Sequence, residues 1–256
     1  MDLANLIRSK HVLVTGASSG LGAHFARVFA RCGANVTVAA RRVDKLEHFA
    51  RELLSLGAES VTPVAMDVKN AESVQQAFHA ITSSGVSLDI VINNAGVSGD
   101  GLALTQSVDE FDEVIATNLR GVWLVATQVA RLWKESARGG SIVNIASIQG
   151  ERVAPGLSAY STSKAGVVHL TRSLALEWAR YGIRVNALEP GYIHTEINDE
   201  LWQQDYGKEM IRRIPMRRLG QPEDLDGALL LLASSASSWM TGSVLAIDGG
   251  HLVSPL

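Results

Sequence analysis

Cysteine, long apolar runs and an excess of one charge are nearly absent from this sequence. Cys32 is the single cysteine, which excludes an intramolecular disulfide and a multi-thiolate metal site and fits a reducing compartment. No apolar stretch approaches the ~20 residues that a membrane-spanning helix needs. The net charge of −3 provides no basic field for nucleic acid, and the seven histidines lack metal-ligand spacing. We therefore expect a cytoplasmic protein without a membrane, nucleic-acid or metal partner.

Short β-rich apolar segments alternate with segments of helical periodicity along the whole chain. Hydrophobic residues make up 46% of the sequence, which is enough for one large core. The predicted strands are 11–15, 35–39, 61–66, 88–92, 141–146, 184–188 and 243–247. The predicted helices are 20–31, 44–56, 71–83, 109–135, 158–181 and 223–233. The alternation predicts one Rossmann-type domain over 1–256, an α/β fold with a doubly wound, seven-stranded parallel sheet and helices on both faces.

A glycine-rich turn follows the first predicted strand. The segment TGASSGLG places Gly16, Gly20 and Gly22 between a strand and a helix. Glycines there let backbone amides approach a pyrophosphate, while the helix amino terminus supplies partial positive charge. The spacing is not GxGxxG, so a tight turn without a ligand is the alternative interpretation of this segment taken alone.

Three further motifs follow in order along the chain. Asn93-Asn94-Ala95-Gly96 follows the fourth strand, Ser147 follows the fifth, and Tyr160-x-x-x-Lys164 lies in the next helix. Together with the glycine-rich turn they resemble the classical short-chain dehydrogenase/reductase family over nearly the whole chain. Other matching positions are Asp67, Asn118, Pro190-Gly191 and Asp248-Gly249-Gly250. The resemblance implies hydride transfer between a nicotinamide cofactor and a carbonyl or alcohol group.

The predicted catalytic residues are Asn118, Ser147, Tyr160 and Lys164. Tyr160 and Lys164 are spaced i and i+4, so the ammonium can lie near the phenol. A nearby cation is expected to lower the pKa of Tyr160 toward the working pH, so that the phenol can exchange protons. Ser147 would hydrogen-bond the substrate oxygen. The resemblance further implies that Lys164 holds the nicotinamide ribose and that Asn118 positions a proton-relaying water.

The end of the second strand bears on the choice of cofactor. NAD-binding proteins place a carboxylate there for the ribose hydroxyls, whereas this chain has Arg41 and Arg42. A guanidinium forms charge-assisted bonds with a 2′-phosphate, so we expect NADP(H). The alternative interpretation is that the two arginines are solvated charges without a ligand. In addition, Ser19 stands where many NADP-preferring relatives carry a basic residue. Discrimination against NAD(H) is therefore expected to be modest.

The resemblance also assigns the rest of the cofactor site. Asp67 and Val68 correspond to the pair that meets the adenine, and Thr195 to a residue that hydrogen-bonds the nicotinamide carboxamide. For Asn93 we prefer a structural role that ties neighbouring strands. The predicted cofactor residues are Gly16, Ser18, Ser19, Gly20, Leu21, Gly22, Arg41, Arg42, Asp67, Val68, Asn94, Ala95, Gly96, Tyr160, Lys164, Pro190, Gly191, Ile193 and Thr195.

The segment 190–215 breaks the strand–helix alternation and is the predicted substrate lid. Its aromatic and aliphatic residues favour a hydrophobic substrate. The predicted substrate contacts are Ser147, Gln149, Tyr160, Tyr192, Leu201 and Trp202. Glu189, just before the lid, stands where relatives more often have a small or neutral residue.

These patterns predict an NADPH-dependent carbonyl reductase, or alcohol dehydrogenase in reverse, that prefers apolar ketones or β-keto esters. The close alternative is 3-oxoacyl reduction on acyl carrier protein or coenzyme A, and the distant one is a non-catalytic NADP-binding regulator. A docking patch for the acyl carrier could come from Arg212, Arg213, Arg217 and Arg218. The broad apolar faces of helices 109–135 and 158–181 favour burial beyond the sheet. The resemblance implies a homotetramer, a dimer of dimers with D₂ symmetry.

Overall fold

Seven parallel strands form one sheet in the order β3-β2-β1-β4-β5-β6-β7. The computed structural model describes residues 2–83, 85–196 and 202–254. The strands are β1 His11–Thr15, β2 Asn35–Ala40, β3 Ser60–Ala65, β4 Ile90–Asn93, β5 Gly140–Ile145, β6 Ile183–Pro190 and β7 Val244–Ile247. The α-helices of the described residues are α1 Leu3–Ile7, α2 Gly20–Arg31, α3 Val43–Ser55, α4 Ala71–Thr82, α5 Val108–Ile115, α6 Gly121–Glu135, α7 Ser158–Trp178, α8 Asp205–Arg213 and α9 Asp226–Ala233.

The predicted doubly wound sheet is confirmed, because helices cover both of its faces. On one face α2, α3 and α9 bury Phe25, Phe29 and Leu229 against alternate residues of the central strands. On the other face α4, α6 and α7 bury Phe78 and Trp133 against the intervening residues. Strands covered on both sides read as continuous apolar runs, which explains why the sequence reveals them so directly.

The predicted helix 109–135 is wrong as a single helix. It consists of α5, a π-helical turn over Ala116–Arg120, and α6. Such turns insert one extra residue per turn and are frequent at functional sites. The apolar periodicity continues across the insertion, so the sequence alone gives no sign of it.

A buried amide network ties the middle of the sheet to α7. Asn93 Nδ2 donates to Asn144 Oδ1 at 2.9 Å, and Asn144 Nδ2 donates to Thr171 Oγ1 at 2.9 Å. The structural role expected for Asn93 is therefore the one observed. At the outer edge of the sheet, Pro63 of β3 lies in register with Val38 of β2.

Candidate active site

From the carboxyl ends of the neighbouring strands β1 and β4 the chain leads to helices on opposite faces of the sheet, α2 and α6. The strand order reverses here, which is where open α/β sheets bind ligands. The turn after β1 has Gly16 at φ +65° and Gly20 at φ +54°, a region of backbone conformation that favours glycine. The turn leads directly into the amino terminus of α2.

A crevice at this turn has a volume of about 290 Å³ and gathers most of the predicted cofactor residues. Of the predicted set, it is lined by Gly16, Ser18, Ser19, Gly20, Leu21, Arg41, Arg42, Asp67, Val68, Asn94, Ala95 and Gly96. These residues come from the ends of four strands, and the topology alone brings them together.

Close backbone packing shapes the floor of the crevice. A Cβ on Gly22 would lie 2.3 Å from the Gly16 carbonyl oxygen and 2.4 Å from Asn94 Nδ2. The Asn94 amide in turn donates to the Thr15 carbonyl at 3.0 Å. Asn94 therefore fixes the glycine-rich turn against β4, and its side-chain donor serves the protein's own backbone.

One wall of the crevice is held by charge pairs and hydrogen bonds after β3. The Asp67 carboxylate accepts a hydrogen bond from the Lys69 amide at 3.0 Å, and Lys69 Nζ lies 2.7 Å from a Glu113 oxygen. Thr117 also lines the crevice, and its buried Oγ1 has no hydrogen-bond partner in the described part of the chain. Thr117 is not among the residues predicted from the sequence, although the next residue, Asn118, is.

Arg41 and Arg42 lie at the rim of the crevice with exposed side chains. Within residues 2–83, 85–196 and 202–254, neither guanidinium has an ion-pair partner. Two uncommitted cations beside a glycine-lined crevice suit an additional phosphate group. The crevice therefore fits a phosphorylated dinucleotide in shape and in charge.

The predicted catalytic residues come together beside this crevice. Lys164 is 5% exposed, its Nζ donates to the Ile145 carbonyl at 2.8 Å, and it lies 5.6 Å from the centre of the Tyr160 ring. Ser147 begins the 3₁₀ turn Ile148–Gly150 after β5, and its hydroxyl accepts a hydrogen bond from the Gln149 amide at 3.2 Å. A phenol, an ammonium and a hydroxyl thus share one site.

The π-helical turn positions Asn118 as a tie within this site. Its Oδ1 accepts from the Val97 amide at 2.8 Å, while its Nδ2 donates to the Val97 carbonyl at 2.8 Å and to Ser163 Oγ at 3.1 Å. Both amide hydrogens are therefore committed to the protein. The water-positioning role that the family resemblance implies for Asn118 stays a prediction.

The electrostatics of Tyr160 differ from the expectation. Burial raises the pKa of the Tyr160 phenol, hydrogen bonding to Ser147 lowers it, and the charge of Asp100 raises it further. Burial also lowers the pKa of Lys164 to about 8, and its ammonium is directed at the Ile145 carbonyl. The predicted lowering of the Tyr160 pKa is therefore wrong for this geometry, because spacing predicts proximity but not desolvation.

The predicted nicotinamide segment follows β6. The Gly191 amide donates to the Ile247 carbonyl at 2.9 Å, and a Cβ there would lie 2.7 Å from Asp248 Cα. Pro190 ends β6, Ile193 is buried in an isolated bridge with Gly220, and Thr195 is half-buried. These four residues do not line the 290 Å³ crevice, so their contact with a cofactor stays a prediction.

The predicted substrate residues form a cluster next to Ser147. Gln149 Nε2 donates to the Tyr192 hydroxyl at 3.3 Å, and the Tyr192 ring lies 5.4 Å from that of Trp202. The Tyr192 ring also lies 5.1 Å from the His251 ring, measured between ring centres. Leu201 falls outside the described residues. The sequence analysis missed His251, because only the folded chain brings the turn after β7 to the lid.

Glu189 is a buried carboxyl near the end of β6. It is 1% exposed, and its Oε1 has no hydrogen-bond partner among the described residues. Burial raises the pKa of this carboxyl to about 7, the charges of Glu151 and Asp248 raise it, and Arg172 opposes them. A carboxyl in such surroundings is largely protonated at mildly acidic pH and loses its proton around neutrality.

The described residues also bear on the metal and membrane partners considered from the sequence. Across the described part of the chain, no group of three or more His, Cys, Asp or Glu side chains has the geometry to hold a metal ion. No helix in these same residues combines the length and hydropathy needed to cross a membrane.

Known proteins with this sequence pattern and fold are numerous. A family model described as enoyl-(acyl carrier protein) reductase matches residues 16–251. A 3-oxoacyl-(acyl-carrier-protein) reductase of Chlamydia trachomatis is 34% identical over 248 residues, which cover 97% of this chain and 99% of that protein. A solved short-chain type dehydrogenase/reductase of Mycobacterium marinum is 40% identical with a TM-score of 0.91, covering 98% and 99% of the two chains. A gluconate 5-dehydrogenase of Burkholderia cenocepacia, solved with NADP and tartrate, is 32% identical with a TM-score of 0.93, covering 99% and 100%.

The chain belongs to the short-chain dehydrogenase/reductase family. It is an oxidoreductase that acts on CH–OH or C=O groups with a nicotinamide dinucleotide, as the sequence predicts.

Proposed function

We propose that this protein is an NADPH-dependent carbonyl reductase that interconverts a ketone or aldehyde and the corresponding alcohol. The observation that supports this proposal most directly is that Tyr160, Lys164 and Ser147 lie together beside a glycine-lined crevice. Two arginines at the rim of this crevice have no ion-pair partner among the described residues. When bound, the nicotinamide dinucleotide supplies the hydride for reduction and accepts it for oxidation.

The chain's own residues manage the proton and the developing charge. The Tyr160 phenol donates its proton to the oxygen that becomes an alcohol, and in oxidation the phenolate recovers it. The Ser147 hydroxyl donates a hydrogen bond to the same oxygen and stabilises its negative charge. Lys164, held by the Ile145 carbonyl, keeps a positive charge near the phenol and is placed to bind the nicotinamide ribose.

The preference for a 2′-phosphate rests on the rim of the crevice. Arg41 and Arg42 follow β2 and line the crevice with exposed side chains. The Burkholderia relative was solved with NADP, which is consistent with this assignment. Asp67 would then face the adenine, and its bond from the Lys69 amide holds it in place.

Consumption of NADPH by the purified protein tests the proposal. A panel of ketones, aldehydes and 3-oxoacyl thioesters should include at least one compound reduced faster with NADPH than with NADH. Binding of NADPH without turnover of any member would instead favour a non-catalytic regulator.

Reduction of 3-oxoacyl thioesters is the second candidate, because the Chlamydia relative carries that name. The four arginines predicted to dock an acyl carrier are partly engaged within the chain. Arg218 pairs with Asp224 at 2.6 Å, Arg212 with Glu209 at 3.4 Å, and Arg217 donates to the Arg212 carbonyl. This engagement leaves Arg213 as the freest of them and favours a small-molecule substrate.

The proposal extends to assembly and location. A groove of about 710 Å³ runs between α6 and α7, where Trp123 is 43% and Leu176 85% exposed. We propose that these helices pair across subunits in a cytoplasmic homotetramer. Light scattering on wild type and on Trp123→Glu tests this, since the variant should form smaller species.

A further inference from the structure

Four side chains, three of them buried, form a cluster that is bonded to Ser147 through Gln149. We name Gln149, Tyr192, Trp202 and His251 the Tyr192 cluster. Gln149, Trp202 and His251 are only 6%, 8% and 7% exposed, although each carries polar atoms. The cluster joins three remote parts of the chain: the turn after β5, the segment after β6 and the turn after β7.

The cluster is connected to the reacting centre by hydrogen bonds. The Gln149 amide donates to Ser147 Oγ, and the Gln149 side chain donates to the Tyr192 hydroxyl. The Tyr192 ring in turn contacts the rings of both Trp202 and His251. A substrate whose carbonyl oxygen meets Ser147 would therefore extend its neighbouring carbons toward this cluster.

Each of the three partners of Tyr192 has a buried polar atom that lacks a hydrogen-bond partner among the residues that the structure describes. These atoms are Gln149 Oε1, Trp202 Nε1 and His251 Nδ1. Buried polar atoms are nearly always satisfied in folded proteins, so three in one cluster require an explanation. Gln149 is bonded to Ser147, and Tyr192 links Gln149 to Trp202 and His251, so the connection to the reacting centre points to a ligand as that explanation.

The hydrogen-bonding character of the three atoms identifies the ligand group. Gln149 Oε1 only accepts, Trp202 Nε1 only donates, and a neutral His251 Nδ1 does either according to its tautomer. Burial is the main cause that lowers the pKa of His251, and Arg152 adds to it, which keeps the imidazole neutral. A mixed set of donor and acceptor matches hydroxyl groups, which both donate and accept, whereas an alkyl chain would satisfy none of the atoms.

We infer that the Tyr192 cluster is a recognition subsite for hydroxyl groups, and that the substrate is a polyhydroxylated carbonyl compound or the corresponding polyol. This inference rests on the proposed function and narrows its substrate class. It also revises the expectation of an apolar substrate, which considered the lid's aromatic rings but not their unpaired polar atoms. Arg152, bonded to the His251 carbonyl, and Arg213 add positive charge nearby, so a terminal carboxylate is compatible with the site.

Oxidation kinetics with NADP⁺ test the inference on three probes: D-glucitol, D-gluconate and 2-hexanol. The first two carry vicinal hydroxyls, one neutral and one anionic, and the third lacks them. Wild type should have a higher kcat/KM for D-glucitol or D-gluconate than for 2-hexanol. A site built to hydrogen-bond a hydroxyl discriminates strongly against an analogue without it.

Two variants remove polar atoms and leave an apolar side chain in their place. Trp202→Phe deletes the indole donor and Gln149→Leu deletes the amide. Each should raise KM for the hydroxylated probe about tenfold and change kcat/KM for 2-hexanol less than twofold. Trp239→Phe is the matched control, because Trp239 is 99% exposed and lies near the amino ends of the strands. An equal effect on hydroxylated and plain alcohols, or a wild-type preference for 2-hexanol, would overturn the inference.

A binding measurement separates this inference from the proposed function. With NADP⁺ present, D-glucitol or D-gluconate should raise the melting temperature of wild type but not of Trp202→Phe. Such a shift without any turnover would contradict the proposed reaction and retain the subsite. Turnover of other carbonyl compounds without such a shift would retain the reaction and eliminate the subsite, leaving ordered water as the partner of the three atoms.

Discussion

The cofactor half and the substrate half of the site are built on opposite principles. The cofactor half, the crevice at the ends of β1 to β4, is shaped by glycines and backbone so tightly that a single methyl group on Gly22 has no room. The substrate half, formed by Gln149, residues 189–193, Trp202 and residues 248–254, holds four buried side chains with unpaired polar atoms. A cofactor that never varies can be bound by a rigid backbone surface. A particular substrate, as proposed above, is instead selected by side chains whose polar atoms are available to hydrogen-bond it.

The largest effect is expected at the boundary between the halves. Tyr160→Phe removes the proton donor but retains the ring beside Lys164, so kcat should fall about a thousandfold, within the range for general acid catalysis. Stopped-flow or steady-state NADPH oxidation measures the loss, and fluorescence titration should show unchanged NADPH affinity. Turnover close to wild type would show that another group donates the proton.

A methyl group in the cofactor half should have the next largest effect. Gly22→Ala would place its Cβ 2.3 Å from the Gly16 carbonyl oxygen, so the turn must shift. We expect affinity for NADPH and NADH to fall alike, at least tenfold, by isothermal titration. The matched control is Gly227→Ala in α9, where a Cβ meets open space, and it should raise stability by about 0.5–1 kcal/mol. Undiminished binding by Gly22→Ala would show that the floor of the crevice is pliable.

A charge at the rim should affect one cofactor only. Arg41→Ala removes a charge-assisted bond to the 2′-phosphate and should weaken NADPH about tenfold while NADH binding changes little. The ratio of the two dissociation constants is the measurement. A uniform loss for both cofactors would assign Arg41 to general electrostatics.

Outside binding and turnover, a pH-dependent effect on stability is expected at the buried acid of the substrate half. Glu189 has its pKa raised from 4.5 to about 7, so between these values the folded protein binds the proton that the unfolded chain has lost. Stability should therefore fall as pH rises through this window, by at most about 3 kcal/mol. Glu189→Gln should melt several degrees higher than wild type at pH 8 and no higher at pH 5. Parallel melting curves across pH would show that the Glu189 charge is compensated in the folded state.

The same contrast explains what the sequence could predict. The cofactor half depends on short local signals, and the helix predicted at 20–31 has the bounds observed for α2. The carboxyl ends of parallel strands lie at the same edge of a sheet. Gly16, Asp67 and Asn94 each follow a predicted strand, so their grouping could be predicted from the alternation of strands and helices along the chain.

Other features depend on contacts between remote segments. His251 reaches Tyr192 only because the turn after β7 packs on the lid, and nothing local marks it. The helix predicted at 44–56 begins one residue earlier, at Val43 after Arg42, and the capping box that Ser107 and Glu110 form at α5 was not predicted. The pKa of Tyr160 followed burial, which spacing does not reveal.

The proline in β3 has a consequence for the molecule in concentrated solution. β3 is an outer strand of the sheet, and an outer strand invites pairing with a strand from another molecule. Pro63 has no backbone N–H, so a strand of another molecule that approached β3 would find one hydrogen-bond donor fewer along this edge. The sheet is thereby protected against edge-to-edge aggregation on this side, and Pro63→Val would be expected to expose a self-association surface far from the chemistry.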